Sequence, residues 1–455
     1  MPMLFTIRTE SQGGKFPDDA KDEALDLMLM AMEAGCQYID VEIEWPRSLP
    51  HALLAKKEAT KLVASYHDWT GNIRWTSPVL QEKYAVADAF GDIIKLSILS
   101  RDVYDCHELA LFLRAHLAQS QKPLLAVGMG QHGQLSRVLS PISLVTHRLL
   151  PAPSAPGQLT LAEVHQARHL IGQLPKREFS VVGDPVSGAS VCRMHEAAFG
   201  ELGFPHSVSF LAGNQQTEQA LHQLLRKPAF GGAALVAASS GVNALGLVDS
   251  VSDAVKQIGV VDAIIVKEVN GERQLVGDNL TWEVIHSCAV RAGLMGALLD
   301  KGATAVIGGG DRKFAAIVCY AVKQLGFTTV RCIGHGDGDR SGDLAAAFPD
   351  IKIQEADSLD SLLKDLTNNQ PLIVCSGIAS EGTKVNAVIN ALSARDNGGA
   401  IIDLYADEGA LAGIVSNRPM WKSFGSSSTL KELACRHFTA WTGRKAPESI
   451  IMDVI

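Results

Sequence analysis

The sequence contains no Cys-x-x-Cys pair. Its eight cysteines, at 36, 106, 192, 288, 319, 332, 375 and 435, are scattered, and no cysteine–histidine set has zinc-ligand spacing. A structural zinc site needs that spacing, so no metal is expected, and separated thiols fit a reducing compartment, cytoplasmic or nuclear. No apolar run approaches the roughly 20 residues that cross a bilayer, so no membrane span is expected. The opening stretch MPMLFTIRTESQGG lacks a charged segment followed by an apolar one and enters a strand at once. No signal peptide is therefore expected, and the chain reads as if it began within a fold. Lysine and arginine never form a run, and the formal net charge is −8. Nucleic-acid surfaces gather basic side chains, so direct DNA binding is not expected. Internal repeats and low-complexity segments are also absent.

What is present is ordinary globular composition: 455 residues, 47% hydrophobic and 20% charged. That length suggests two to four domains whose cores need no covalent staples. Residues 1–172 alternate six β-rich runs (LFTIR, YIDVEI, KLVASYH, IIKLSIL, PLLAVGM, ISLVTH) with amphipathic helical stretches such as 21–34, 78–89 and 103–118. Strands alternating with helices predict a parallel sheet or barrel. LLPAPSAPGQLT ends the alternation, a last helix follows, and QLPKRE reads as a linker. A second α/β pattern starts at FSVVGDPVS. The boundaries expected are 1–172, 178–290, 291–425 with a strand–glycine-turn–helix at ATAVIGGGDRKFAA, and a closing helical segment at 426–455.

Polar residues mark the ends of the first six runs: Arg8, Glu42 and Glu44, His67, Lys95 and Arg137. A (β/α) barrel gathers its active site at strand C-terminal ends. Lys95 interrupts the apolar run IIKLSIL, which is costly unless the lysine is paired or working. Desolvation would make it a Schiff-base nucleophile, and His67 could shuttle protons. A lysine snorkelling from a strand end satisfies the same pattern, and the pattern leaves both readings open.

From LFTIRTESQGG to SAPGQLT the segment resembles type I 3-dehydroquinate dehydratase. That resemblance implies a lysine that forms an imine with the substrate ketone and a histidine acid/base, positions held here by Lys95 and His67. It implies substrate contacts at Arg8, Arg137, Ser154 and Gln158, with Glu42 placed among them. Gln12 stands where the family usually has a glutamate before its double glycine. The family's first two strands have no counterpart, so an incomplete barrel of about six strands is expected, with its open edge paired or covered.

The rest of the chain resembles shikimate dehydrogenase, in the form fused at the C-terminus of the fungal pentafunctional arom polypeptide, with a substrate-type domain and a Rossmann-like domain. Each motif of that family is visible and altered. In DPVSGASVCRMH, Ala189 and Val191 replace two serines of the carboxylate site. In FGGAALVAASSG, Ser240 replaces the catalytic lysine and Ala234 an asparagine. IGVVDA carries Asp262 and Ala263 for asparagine and threonine. In GDNLTW, Asn279 remains as a ligand contact, and Thr281 replaces the acid. Leu433 stands for a late glutamine. The glycine turn keeps Gly308 and Gly310, but Asp311 follows, and CIGHGDG replaces the Asn-Arg-Thr that reads NADP. No cofactor is therefore expected.

A degenerate dehydrogenase behind a retained lysine is similar to the fungal quinate repressor family. That resemblance implies a quinate-pathway metabolite (quinate, 3-dehydroquinate or shikimate) as ligand, a zinc-cluster transcription activator as partner, and regulation without turnover. The alternative is a divergent bifunctional dehydratase/dehydrogenase of aromatic amino acid biosynthesis, with the dehydratase half the better candidate for activity. A pseudoenzyme without a role is a third reading.

Overall fold

A computed structural model describes residues 3–454 except 119–120, 154, 214–215, 237–241, 295–302, 310, 334–340, 367–371, 377–386, 388 and 392–397. The chain divides into two units, 1–174 with 202–204, and 175–201 with 205–455.

In the first unit, β1 (Leu4–Phe5), β2 (Tyr38–Glu42), β3 (Lys61–Asp68), β4 (Ile93–Leu99) and β5 (Leu124–Met129) lie side by side in chain order. All neighbours are parallel. Parallel pairing needs a crossover between strands, supplied by the helices Lys21–Glu33, Ser48–Lys56, Pro78–Phe90 and Tyr104–Leu117. The third of these starts where its sequence says it should. Pro78 occupies the first turn, and the Ser77 side chain accepts from the Val79 N–H.

Strand side chains alternate between faces. One face of the sheet sends Ala64, Ile94, Leu96 and Ile98 into a core with Trp75, Leu80, Leu109 and Phe112. The other carries Asp40, Glu42, Ser65, His67 and Lys95, and on β5 an apolar strip of Leu125, Val127 and Met129. The sixth predicted run, at 142–147, forms only a bridge from Thr146 to Thr160. Its composition suits a strand, but Ile142, Leu144 and Val145 are 39%, 36% and 42% exposed. β-branched residues favour strands when they have a surface to pack on, and these have little. The sheet therefore has five strands and does not close among the described residues.

The second unit holds two six-stranded sheets. The first comprises β6 (Glu178–Gly183), β7 (Ser207–Ala212), β8 (Phe230–Leu235), β9 (Ser250–Val251), β10 (Ala263–Val269) and β11 (Glu272–Asp278), in the order β7-β6-β8-β10-β11-β9. β10 and β11 form an antiparallel hairpin whose turn, Asn270-Gly271, has φ of 55° and 81°. Asn-Gly is the pair that tolerates this left-handed geometry best. The second sheet comprises β12 (Thr304–Gly308), β13 (Thr329–Ile333), β14 (Lys352–Ala356), β15 (Leu372–Ser376), β16 (Gly399–Asp403) and β17 (Trp421–Phe424). It is parallel throughout, in the order β14-β13-β12-β15-β16-β17. That is the doubly wound dinucleotide-binding order, with its switch point between β12 and β15. The helix Ser426–Thr442 returns to the first of these sheets, where Trp441 Nε1 donates to the Ile264 carbonyl at 3.3 Å. Among the described residues no helix is long and apolar enough to cross a membrane.

Candidate functional site

On the polar face of the first sheet, Lys95 pairs in register with Ser65, and His67 with Ser97. Lys95 and His67 thus lie diagonally on one face of adjacent strands. The sequence suggested an amine in apolar surroundings, but the structure places a carboxylate against it. Lys95 Nζ lies 2.8 Å from Asp40 Oδ2, and Asp40 is fully buried. The partner comes from β2, which a scan along β4 cannot reveal. Asp40 also accepts from Arg8 at 3.0 Å and from the Ser65 hydroxyl at 2.5 Å. Burial alone would raise the Asp40 carboxyl. The Lys95 and Arg8 charges outweigh it and hold the group at about 2, so Asp40 is a carboxylate at neutral pH.

Arg8 and Glu42, expected at a ligand, are engaged with each other. Arg8 donates to Glu42 at 2.7 Å, and Glu42 further accepts from the Thr9 N–H at 3.0 Å and the Thr9 hydroxyl at 2.6 Å. They form the frame that orients Asp40 and, through it, Lys95. Glu44 lies outside this frame and pairs with Lys83 at 2.6 Å.

The half-buried His67 is set by the turn before the first helix. Gln12 Oε1 accepts from the His67 N–H at 2.9 Å and lies 3.3 Å from His67 Nδ1. That places the proton on Nδ1 and leaves the Nε2 lone pair available. The turn depends on glycine twice. Gly13 has φ +88° beneath the Trp69 ring, and a Cβ on Gly14 would lie 1.9 Å from the Arg8 carbonyl oxygen. Burial, then the charges of Lys95 and Arg8, holds the imidazole down at about 2, so His67 is neutral at pH 7 and, with those charges beside it, a weak base.

Arg137, expected to meet a carboxylate, is only 3% exposed, and burial lowers its pKa. Its guanidinium reaches the Leu144 carbonyl at 3.5 Å, and its Nε has no hydrogen-bond partner among the described residues. Gln158 is half-buried and donates to the Val145 carbonyl at 3.4 Å. Ser154 lies outside the described residues.

In the second unit, residues singled out as altered motif positions converge. Asp262, Thr281 and Leu433 line one cavity of about 130 Å³, together with Ser187, Leu235, Val284, Phe314 and Leu430 among others. Asp262 is 5% exposed, and its two carboxylate oxygens accept from the Leu280 N–H at 2.7 Å and the Thr281 N–H at 2.8 Å. Those amides open the helix Thr281–Arg291, so the turn GDNLTW is held by Asp262 from outside as well as by its own Asp278, which accepts from the Asn279 N–H at 2.8 Å. Burial, opposed by these hydrogen bonds, raises the Asp262 carboxyl to about 6. Asn279, expected at a ligand, is fully buried. It donates to the Val260 carbonyl at 3.2 Å and accepts from the Trp282 N–H at 3.2 Å, which makes it part of the corner. Ser240 lies outside the described residues.

At the glycine turn, Gly308 ends β12, and the next residue, Gly309, has φ +71°. Gly310 lies outside the described residues. Asp311 is the N-cap of the helix Arg312–Gln324, and its carboxylate accepts from the Phe314 N–H at 2.8 Å. First-turn amides of this kind hold a pyrophosphate in dinucleotide folds. Here one of them is already hydrogen-bonded to an internal acid.

Residues 1–175 match the type I 3-dehydroquinase family. The chain is 32% identical over 482 residues to the pentafunctional AROM polypeptide of Mycosarcoma maydis, covering 99% of this chain and 28% of that polypeptide. With the Schizosaccharomyces pombe polypeptide of the same name it shares 33% over 466 residues, covering 100% and 29% respectively. The chain thus spans under a third of the length of these curated relatives. Among solved structures, the dehydroquinate dehydratase and shikimate dehydrogenase portion of S. pombe AroM superposes with a TM-score of 0.81 at 30% identity, covering 100% of this chain and 86% of that one. A shikimate 5-dehydrogenase from Listeria monocytogenes, solved with shikimate and NAD, shares the fold alone, with 15% identity and a TM-score of 0.50 over 61% of this chain and 96% of that one. The order of the two units, the motifs and the share of a 30% identical relative that is covered lead to one conclusion: the chain belongs to the family of the dehydroquinate dehydratase–shikimate dehydrogenase region of AROM polypeptides.

Proposed function

We propose that this chain is an enzyme-derived regulator of quinate metabolism. In this reading its first unit binds a quinate-pathway metabolite (quinate, 3-dehydroquinate or shikimate). Binding alters its hold on a zinc-cluster transcription activator, in cytoplasm or nucleus, without direct DNA contact and without oxidising shikimate. The supporting observation is the cavity of the second unit. Its wall presents Thr281 where the resemblance puts the acid and Leu433 where it puts a glutamine, so neither position, among the described residues, supplies the group the resemblance assigns to it. The residues present also do not fit a dinucleotide phosphate: Asp311 puts a carboxylate where an anion would bind. A regulator needs only a ligand whose affinity differs between two states, which a site stripped of catalytic groups can supply.

The test is genetic and enzymatic. Deleting the gene should make quinate-catabolic transcripts constitutive, and the full chain should give no NADP-dependent absorbance change with shikimate. Transcripts that remain quinate-inducible after deletion, or measurable shikimate oxidation, overturn the reading. A second reading, 3-dehydroquinate dehydratase, is favoured by the first unit, where Lys95, the amine that imine chemistry would use once its proton is given up, shares a sheet face with a neutral His67.

A further inference from the structure

The cavity of the second unit has an electrostatic character that the family resemblance does not supply. Its wall is mostly aliphatic and aromatic, from Leu235, Val284 and Phe314 to Leu433. Two of its lining residues carry a charge, and they sit differently. Lys313 is exposed, so water screens its ammonium. Asp262 is buried, with each carboxylate oxygen tied to one backbone N–H, the Thr281 hydroxyl also bonded to the carboxylate, and acceptor capacity left over among its roughly four lone-pair positions. Among apolar neighbours a fixed carboxylate repels an anion far more strongly than it would in water, and it welcomes an O–H or N–H donor.

We infer that this cavity takes a neutral, hydroxyl- or amide-bearing small molecule and rejects carboxylates, with Asp262 as the group that decides between them. This goes beyond the regulatory reading and does not depend on it, since that reading places its metabolite in the first unit. Thr281 donates its hydroxyl to Asp262 and offers that oxygen to the cavity as an acceptor. The ligand expected is ring-sized and uncharged, recognised by hydroxyl donation to Asp262 and by apolar contact with the remaining wall.

The groups facing Asp262 leave it as the titrating element. Asp278 is an acidic neighbour on β11. Glu283 is paired with Arg436 at 3.0 Å. His437, on the helix Ser426–Thr442, is fully buried, and burial keeps it neutral by holding it at about 3. Protonating Asp262 removes the repulsion, so discrimination against anions should weaken below the value of about 6 to which its carboxyl is raised.

The experiment is isothermal titration calorimetry of the full chain with shikimate and with methyl shikimate, its neutral ester carrying the same ring hydroxyls. At about pH 7.5 the ester should bind at least about ten-fold more tightly, and at about pH 5 the gap should narrow, because shikimate remains an anion while Asp262 is protonated. Asp262→Asn should remove the preference at pH 7.5. Should that variant fail to fold, the wild-type pH pair still decides. Leu433→Trp, which fills the cavity, should abolish ester binding. The inference is overturned if the shikimate binding that Leu433→Trp removes is as tight as the ester's at pH 7.5, if neither binds at millimolar concentration, or if Leu433→Trp leaves ester binding unchanged.

Discussion

Replacing Asp40 with asparagine is the sharpest perturbation of the first unit. The substitution keeps the side chain's shape and removes the charge that faces Lys95 at 2.8 Å and Arg8 at 3.0 Å. Lys95 is 8% exposed and would be left as a buried charge without its partner. Breaking such a pair from one side typically costs about 3–5 kcal/mol. A separate route gives a compatible size. The Asp40 carboxyl is held at about 2 against an ordinary 3.8, and at 1.36 kcal/mol per pKa unit that gap is worth about 2–3 kcal/mol. Because the folded-state value is the lower one, this stability is present above about pH 4 and is lost as the pH falls toward 2. Urea unfolding should be followed by hydrogen exchange of peptides from β2 to β4, which reports the first unit separately from the second. Asp40→Asn should lower its stability by about 3 kcal/mol or more, and Asp40→Asn/Lys95→Met should recover a large part of the loss by removing the stranded charge. A single variant that costs under about 1 kcal/mol, or a double variant no better than the single, would refute the reasoning.

Three further outcomes are expected. Gln12→Glu places a carboxylate against the His67 ring and should raise its pKa by at least about one unit, read from imidazole NMR shifts; an unchanged titration would mean that Gln12 does not contact the ring in solution. Borohydride should trap 3-dehydroquinate on the wild-type chain as a mass adduct absent from Lys95→Met, and a chain that never forms the adduct has lost imine chemistry. Asp311→Ala should cost about 1 kcal/mol through loss of the cap on the helix Arg312–Gln324, and melting curves identical to the wild type would show that the cap contributes nothing.

Much of the architecture could be read because period and punctuation agree: apolar runs, Ser77-Pro78 and Asn270-Gly271 mark their own elements. Lys95 and His67 were legible because a polar residue in an apolar run is conspicuous. Asp40 carries the same mark inside YIDVEI, but the neighbouring Glu42 and Glu44 drew attention to the strand's end. What could not be read is pairing. Arg8 and Glu42 looked like ligand groups because nothing local shows that they satisfy each other across 34 residues of chain. The run at 142–147 has strand composition, but a ladder depends on a neighbour that its own residues do not encode. Asp262 was visible as a substitution for asparagine. Its hold on the amides at 280 and 281 was not, because that contact crosses 18 and 19 residues.

The margin of the first sheet has a dynamic consequence. Among the described residues β1 pairs with β2 through Leu4 and Phe5, with the Met3 carbonyl accepting a further bond from the Tyr38 N–H. Its stronger attachment comes just after the strand, where Arg8 reaches Asp40, Glu42 and Ser65, and Thr9 reaches Glu42. A border fastened by one charged cluster, with Gln12 bonded to His67 and Trp69 just beyond it, comes loose as a unit instead of fraying residue by residue. The amides from Leu4 to Phe16 should therefore exchange as one cooperative segment, at a rate that follows the ionisation of Asp40. Any molecule that draws charge away from Lys95 would also change how often that border opens, so occupancy at the centre of the sheet is converted into motion at its rim.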